Sequence, residues 1–186
     1  MSHAVNLQAM LEHLLVLEHF ALGSSEFFKS NGVTSFEETG YLQPLSARTL
    51  LKGLVCEKLI DVAMKGRILS EHVAITDSAA FERIQAQALT ALRISYDTKG
   101  SETLSLRESF NKIIHATQVS ISISESETEP GNTHFWDGQV HLIGTLRKSE
   151  WSHSLVVGDW AKAVRRLLMQ LIREEQLAML GWDGGL

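Results

Sequence analysis

The feature that most constrains the fold is a change in the spacing of apolar residues along the chain. Up to about residue 116 they recur every three or four positions, the spacing of a helix that buries one face. Between residues 119 and 157 they alternate with other residues, as in a half-exposed strand, and from Asp159 the helical spacing returns. We therefore predict a mainly α (α+β) fold, a bundle of about five helices with a small antiparallel β-meander inserted before the last one.

Four helices are predicted before the meander. The first spans about residues 4–29 and the second about residues 44–65, where Gly66 is expected to end it. Turn-forming residues between these two helices predict a loop. The third helix ends before residue 99 and begins at one of three cap residues (Thr76, Asp77 or Ser78). The fourth spans about residues 104–116.

Three strands are predicted from the alternating segment. The first is the serine-rich "QVSISIS", and the acidic, turn-rich residues 125–132 after it are expected to form a loop. In each of the other two strands, the apolar face is formed by residues an even number of positions apart (Trp136, Val140, Leu142 and Leu146; Trp151, His153, Leu155 and Val157). We expect the meander, residues 117–157, to share one core with the bundle, residues 4–116 and 159–180. Residues 1–186 would then form a single domain.

The charge of the chain argues against a general nucleic-acid-binding protein. The sequence has 22 acidic and 17 basic side chains and a net charge of -5, so a polyanion would have to bind at a local cluster of cations. The lone Cys56 lies in an apolar helical pattern, where a buried, unreactive thiol is expected. Ionisable residues interrupt the first apolar segment (Glu12, His13, Glu18 and His19). We therefore expect no membrane partner and a cytoplasmic location.

The predicted fourth helix carries three polar residues at intervals of four within "SLRESFNKIIHA". They are Arg107, Asn111 and His115, and each step of four turns only about 40° around a helix, so the three share one side. An apolar arc lies beside them (Leu106, Phe110, Ile113 and Ile114). We expect the three polar residues at the boundary between core and solvent, where partial exclusion of water strengthens hydrogen bonds.

These residue types suit metal-independent cleavage of RNA. The 2′-hydroxyl attacks the adjacent phosphorus, a base removes the hydroxyl proton and a cation stabilises the phosphate. The imidazole of His115 can exchange a proton near neutral pH, and Arg107 can hold two phosphate oxygens. Asn111 can orient a hydroxyl or accept a hydrogen bond from the imidazole. One histidine cannot serve both sides of the scissile bond, so a symmetric dimer would supply the second.

A structural interpretation of the same pattern stays open. An amphipathic helix can carry these residues by chance, with Arg107 paired to a nearby glutamate and His115 stabilising the carboxyl end of the helix. Spacing alone is compatible with both interpretations.

The segment "LRESFNKIIHA" resembles the signature helix of the HEPN superfamily, the higher eukaryotes and prokaryotes nucleotide-binding domains. That signature is an arginine followed after a few residues by a histidine, commonly with a polar residue between them. The resemblance implies a HEPN-like dimeric helical bundle, with Arg107 and His115 as the catalytic pair and Asn111 as the intervening polar residue. The signature usually has four to six residues between the pair, whereas this chain has seven, residues 108–114.

For function, the resemblance implies a metal-independent endoribonuclease of a bacterial toxin–antitoxin or antiviral defence system. The partners would be an RNA substrate, a second copy of the chain, and an antitoxin or another protein. The alternative is a non-catalytic dimeric helical module that binds a partner protein.

No cofactor or metal site is predicted. The sequence has no glycine-rich phosphate loop, nucleophile elbow or cysteine cluster, and no two histidines have the four-residue spacing of helical metal ligands. Basic residues recur along the second helix (Arg48, Lys52, Lys58, Lys65 and Arg67) and the last helix (Arg165, Arg166 and Arg173). We interpret most of them as solvated, although in an RNase one row can guide the RNA backbone. Three tryptophans are expected to pack in the core (Trp136, Trp151 and Trp160).

Overall fold

The structure, a computed structural model, describes residues 5–30, 47–97, 104–128 and 131–174. These ranges contain five helices: α1 (Leu7–Ser30), α2 (Ala47–Thr76), α3 (Ser78–Leu89), α4 (Leu106–Ile114) and α5 (Val157–Arg173). They also contain four strands: β1 (Ser95–Asp97), β2 (Gln118–Thr128), β3 (Gly131–Leu146) and β4 (Ser149–Val156). The predicted mainly helical α+β class is confirmed. The loop predicted between the first two helices lies largely outside the described residues.

The four strands form one antiparallel sheet in the order β1-β4-β3-β2. β2, β3 and β4 are neighbours in sequence as well as in the sheet, while β1 comes from the segment before α4 and pairs with β4. The sequence pattern does not predict β1. Its three residues are too few to show an alternating pattern, and only the hydrogen bonds to β4 make them a strand.

The predicted end of the second helix is wrong, because α2 continues through Gly66 to Thr76. A side chain at Gly66 would place its Cβ 2.6 Å from the ring of Phe110, so the bare backbone provides the contact surface for α4. The predicted end of the third helix is also wrong. α3 stops at Leu89, and Asp77 is its N-cap, accepting a hydrogen bond from the Ala80 N–H at 2.9 Å.

The acidic segment predicted as a loop is mostly strand. β2 continues to Thr128 and pairs with β3 from Gly131 onwards, while residues 129–130 lie outside the described part of the chain. Hydrogen bonds between the strands outweigh the weak strand propensity of acidic and turn-forming residues. Leu146 was predicted to lie on the same face of the strand as Trp136, Val140 and Leu142, but it is 64% exposed at the end of β3.

One apolar core joins the helices and the sheet. Phe110 of α4 meets Trp160 of α5 edge-on, with ring centroids 6.1 Å apart, and both side chains are fully buried. The indole nitrogen of Trp160 donates a hydrogen bond to the Ser109 hydroxyl at 2.8 Å. These contacts hold α4 from its apolar side and leave its polar side facing outward.

Polar contacts attach α1 to the two helices beside it. Arg165 of α5 donates two hydrogen bonds to Glu18, at 2.7 and 3.1 Å. Asp61 of α2 accepts hydrogen bonds from Lys65 at 2.7 Å and from His13 at 2.8 Å. Burial acts to raise the pKa of Asp61, but the bonds from Lys65 and His13 outweigh it and lower that pKa. Among the described helices, none combines the length and the apolar character needed to cross a membrane.

Candidate functional site

An open cleft of about 580 Å³ lies between α2, α4 and the β3–β4 hairpin. It is lined by Arg67, Glu108, Asn111, Lys112, His115, Thr145, Leu146 and Trp151. Small-molecule sites usually measure about 300–1,000 Å³, so the cleft has room for a ligand of nucleotide size. Three of its eight lining residues come from α4 and a fourth, His115, is the C-cap of that helix, so this short helix determines most of the chemistry of the cleft.

A capping box fixes the start of α4. The Ser105 hydroxyl accepts a hydrogen bond from the Glu108 N–H at 3.2 Å, and the Glu108 carboxylate accepts one from the Ser105 N–H at 2.9 Å. Hydrogen bonds from the backbone and the hydroxyl of Ser105 lower the pKa of Glu108 against the opposing effect of burial. Glu108 therefore stays ionised at neutral pH at the mouth of the cleft.

The structure separates the three residues of the predicted catalytic set. Asn111 and His115 line the cleft, whereas Arg107 is exposed and does not line it. Two steps of four residues turn about 80° around a helix, which is enough to direct Arg107 away from the wall that His115 forms. The Arg107 backbone N–H donates to the Gln85 side chain at 3.2 Å. A catalytic role for Arg107 stays a prediction.

A different arginine lies beside His115. Arg67 of α2 approaches with Nη1 3.4 Å from the His115 Nε2, while its Nε donates to Glu71 at 2.9 Å. A guanidinium has only donors, so Nε2 is the acceptor in this contact. Arg67 is one of the basic residues that recur along the second predicted helix, but the sequence does not single it out, because the contact joins residues 48 positions apart.

Lys112 and Trp151 form another part of the cleft wall. The Lys112 ammonium lies 4.1 Å from the centroid of the Trp151 ring, a cation–π contact. Core packing was predicted for all three tryptophans, and Trp136 and Trp160 are indeed buried. Trp151 is only half-buried. It packs against the core and also lines the cleft.

Charged side chains of both signs line the cleft. Arg67 and Lys112 are positively charged and Glu108 is negatively charged, while Glu71 forms a salt bridge with Arg67 at 2.9 Å. The Asn111 Oδ1 is buried and has no hydrogen-bond partner. A buried acceptor without a donor is unfavourable, and because solvent does not reach this atom, the amide must turn before a group of a ligand can bond to it. The cleft offers an anionic ligand two cationic side chains, Arg67 and Lys112.

Histidines outside the cleft form local structural contacts. His19 donates to the backbone carbonyl of Leu15 at 2.8 Å, and His141 shares a 2.7 Å hydrogen bond with Ser154 across the sheet. In the part of the chain that the structure describes, no three histidine, cysteine, aspartate or glutamate side chains come together as metal ligands would.

Comparison with known proteins finds no matching family, curated protein or solved structure. The geometry of the cleft is therefore the basis for assigning a function to the chain.

Proposed function

We propose that the chain is a HEPN-like, metal-independent endoribonuclease that acts in the cytoplasm as part of a bacterial toxin–antitoxin or defence system. The observation that supports this function is the contact between the Arg67 guanidinium and the His115 imidazole in an open cleft, with 3.4 Å between the two nitrogens. A permanent cation beside a proton acceptor is the pair of groups that cleavage of a phosphodiester requires.

The reaction proceeds by attack of the RNA on itself. When a phosphodiester enters, the Arg67 Nη1 donates to a phosphate oxygen and no longer to His115, so Nε2 is free to take the proton of the 2′-hydroxyl. The 2′-oxygen bonds to phosphorus as the bond to the 5′-oxygen breaks. Protonation of that 5′-oxygen leaves a 2′,3′-cyclic phosphate and a 5′-hydroxyl. The Asn111 side-chain N–H₂ donates a hydrogen bond to the 2′-oxygen and orients it, since the single proton of that hydroxyl passes to His115.

A second imidazole from a second copy of the chain protonates the leaving oxygen. An exposed apolar row on α2, defined by Ile60, Met64 and Ile68, provides a surface for such a homodimer, since each side chain is 42 to 47% exposed. Arg67 is adjacent in sequence to Ile68 and follows Met64 by one helical turn. Pairing of two such rows would bring two clefts to the same side of the dimer.

RNA cleavage in the presence of a chelator tests this function. We expect His115→Ala to reduce the cleavage rate about 100-fold or more, since a general acid or base contributes about 10²–10⁴-fold. Arg67→Ala should reduce it about 100-fold, the effect of losing one group that stabilises transition-state charge. Lys162→Ala, which removes an exposed positive charge outside the cleft and outside both basic rows, is the matched control and should keep the wild-type rate.

The same assay compares the two candidate arginines. We expect Arg67→Ala to slow cleavage more than Arg107→Ala, because Arg67 lines the cleft and Arg107 does not. Unchanged cleavage by His115→Ala, or loss of all cleavage by the wild type when chelator is added, would contradict the proposed mechanism.

The second candidate is a non-catalytic module that binds a partner protein, with an antitoxin as one such partner. The α2 row favours it, because exposed apolar side chains at successive helical turns commonly mark an interaction surface. This candidate predicts no RNA cleavage by the intact chain and a stable complex that forms equally well with His115→Ala.

A further inference from the structure

Trp151 gives the cleft an aromatic wall that the cleavage mechanism does not use. The residue lies near the start of β4, directly opposite Gly144 of β3 in the sheet register. Its side chain is only half-buried although the ring is large and apolar, and it lines the same cleft as Arg67 and His115. An aromatic surface next to a phosphate-binding arginine combines the two groups that proteins use to bind a nucleotide.

Gly144 fixes the position of this aromatic wall. A Cβ at residue 144 would lie 2.2 Å from one carbon of the Trp151 ring and 2.9 Å from the His115 carbonyl oxygen. The indole therefore occupies the space that a side chain would fill, and it lies next to the end of α4 that carries His115. Packing against this buried glycine holds the ring in place before any ligand arrives.

The ammonium group of Lys112 lies over the ring of Trp151. A cation over an aromatic ring gains about 2- to 5-fold in equilibrium constant at an exposed site and about 30-fold when desolvated, and Lys112 is partly buried, whereas a stacked base gains about 5- to 150-fold. A lysine side chain is also flexible and can move its ammonium group to a phosphate oxygen. A nucleotide can therefore replace the contact between Lys112 and Trp151, since its base stacks on the indole and its phosphate binds the ammonium group.

We infer that Trp151 is a nucleobase subsite, on which the base of a bound nucleotide stacks while Lys112 moves from the ring to the phosphate. This inference rests on the proposed function, because it assumes that the phosphate binds beside Arg67 and His115. It adds that the cleft recognises a base as well as a phosphate.

Calorimetric binding of two probes to the full chain tests the subsite. Adenosine 5′-monophosphate carries a base and ribose 5-phosphate does not, while both present a phosphate to Arg67. We expect the nucleotide to bind the wild type about 5- to 150-fold more tightly than the sugar phosphate. Trp151→Leu should abolish this preference and leave the affinity for ribose 5-phosphate within about 2-fold. Trp151→Phe should keep most of the preference, because it retains an aromatic face.

Thermal unfolding of each variant shows whether it is folded, and Trp151→Phe keeps the test decisive if Trp151→Leu does not fold. Equal affinity of the wild type for the two probes, or no binding of either, would overturn the inference. A Trp151-dependent base preference in a chain that does not cleave RNA would support the subsite and reject the proposed function. His115-dependent cleavage without any base preference would reject the subsite alone.

Discussion

At the scale of the residue, Gly66 determines how closely α2 and α4 approach. The ring of the fully buried Phe110 occupies the space where a side chain at residue 66 would lie, and Phe110 is held on its other side by Trp160. The local sequence predicts a helix end at Gly66, because glycine often ends helices. Its actual role depends on a side chain 44 positions away in the sequence, and the local sequence contains no sign of that contact.

We predict that Gly66→Ala destabilises the chain by about 1–3 kcal/mol, the usual effect of overpacking a core. The matched control is Gly53→Ala in the same helix, where an added Cβ meets nothing within 4 Å. That substitution should stabilise the chain by about 0.5–1 kcal/mol, since alanine favours helix more than glycine does. Urea unfolding of both variants measures the two changes. Equal effects of the two substitutions would show that Phe110 does not constrain Gly66.

At the scale of the element, α4 is a short helix that depends on its capping box and on packing. A helix of nine residues is too short to be stable alone in water. The capping box satisfies the N–H groups of Ser105 and Glu108 at the start of the helix, and Phe110 and Ile113 pack into the core. Because Glu108, Asn111 and Lys112 are on this helix and His115 is its C-cap, the geometry of the cleft depends on the same N-terminal capping box.

We predict that Ser105→Ala lowers the free energy of unfolding by about 0.5–2 kcal/mol at pH 7, the usual range for a lost N-cap. Ser105→Thr, which keeps a capping hydroxyl, should have a smaller effect. Urea unfolding of the three proteins measures the difference. A stability of Ser105→Ala equal to that of the wild type would mean that the cap contributes nothing.

The lowered pKa of Glu108 makes the same cap sensitive to acid. A carboxylate whose pKa is lowered by folding stabilises the chain fully above the pKa of the unfolded chain, about 4.3 for glutamate, and this contribution disappears as the pH falls through the folded-state pKa. We therefore expect the stability difference between the wild type and Glu108→Gln to be constant near neutral pH and to shrink in acid. Urea unfolding from pH 7 to pH 3 measures this stability difference. A difference that grows in acid would contradict the predicted loss of stabilisation by Glu108 at low pH.

At the scale of the whole molecule, α2 buries one face and exposes another. Its buried face contacts α1, α3 and α4, while Ile60, Met64 and Ile68 remain exposed on the other side. Other apolar side chains are exposed as well, but these three follow one another at successive turns of one helix, and the proposed homodimer covers them with the same row of a second copy.

We predict that the wild-type chain has twice the mass of one chain in light scattering, and that Met64→Glu makes it monomeric, since two buried carboxylates would face each other across the axis. The matched control is Leu22→Glu on α1, which adds the same charge at an apolar residue that is 80% exposed outside the row. It should leave the mass unchanged. A monomeric wild type, or dissociation by both substitutions, would reject the α2 row as the dimer surface.

The sequence by itself determined the features that depend on residues close together in the chain. The spacing of the apolar residues separated the helical segments from the alternating ones. Asp77, one of three predicted N-caps, is the N-cap of α3. The sequence also identified the apolar side of α4, but not the partners of its polar side. These properties follow from steric and hydrogen-bonding preferences that act over a few residues.

The tertiary structure alone decided which distant residues meet. It extended α2 past Gly66, made a strand of residues 95–97, and placed Arg67 rather than Arg107 beside His115. It also positioned Trp151 against Gly144 at the wall of the cleft. Each of these contacts joins segments far apart in sequence, and packing of the whole chain, rather than local preference, provides the free energy that holds them together.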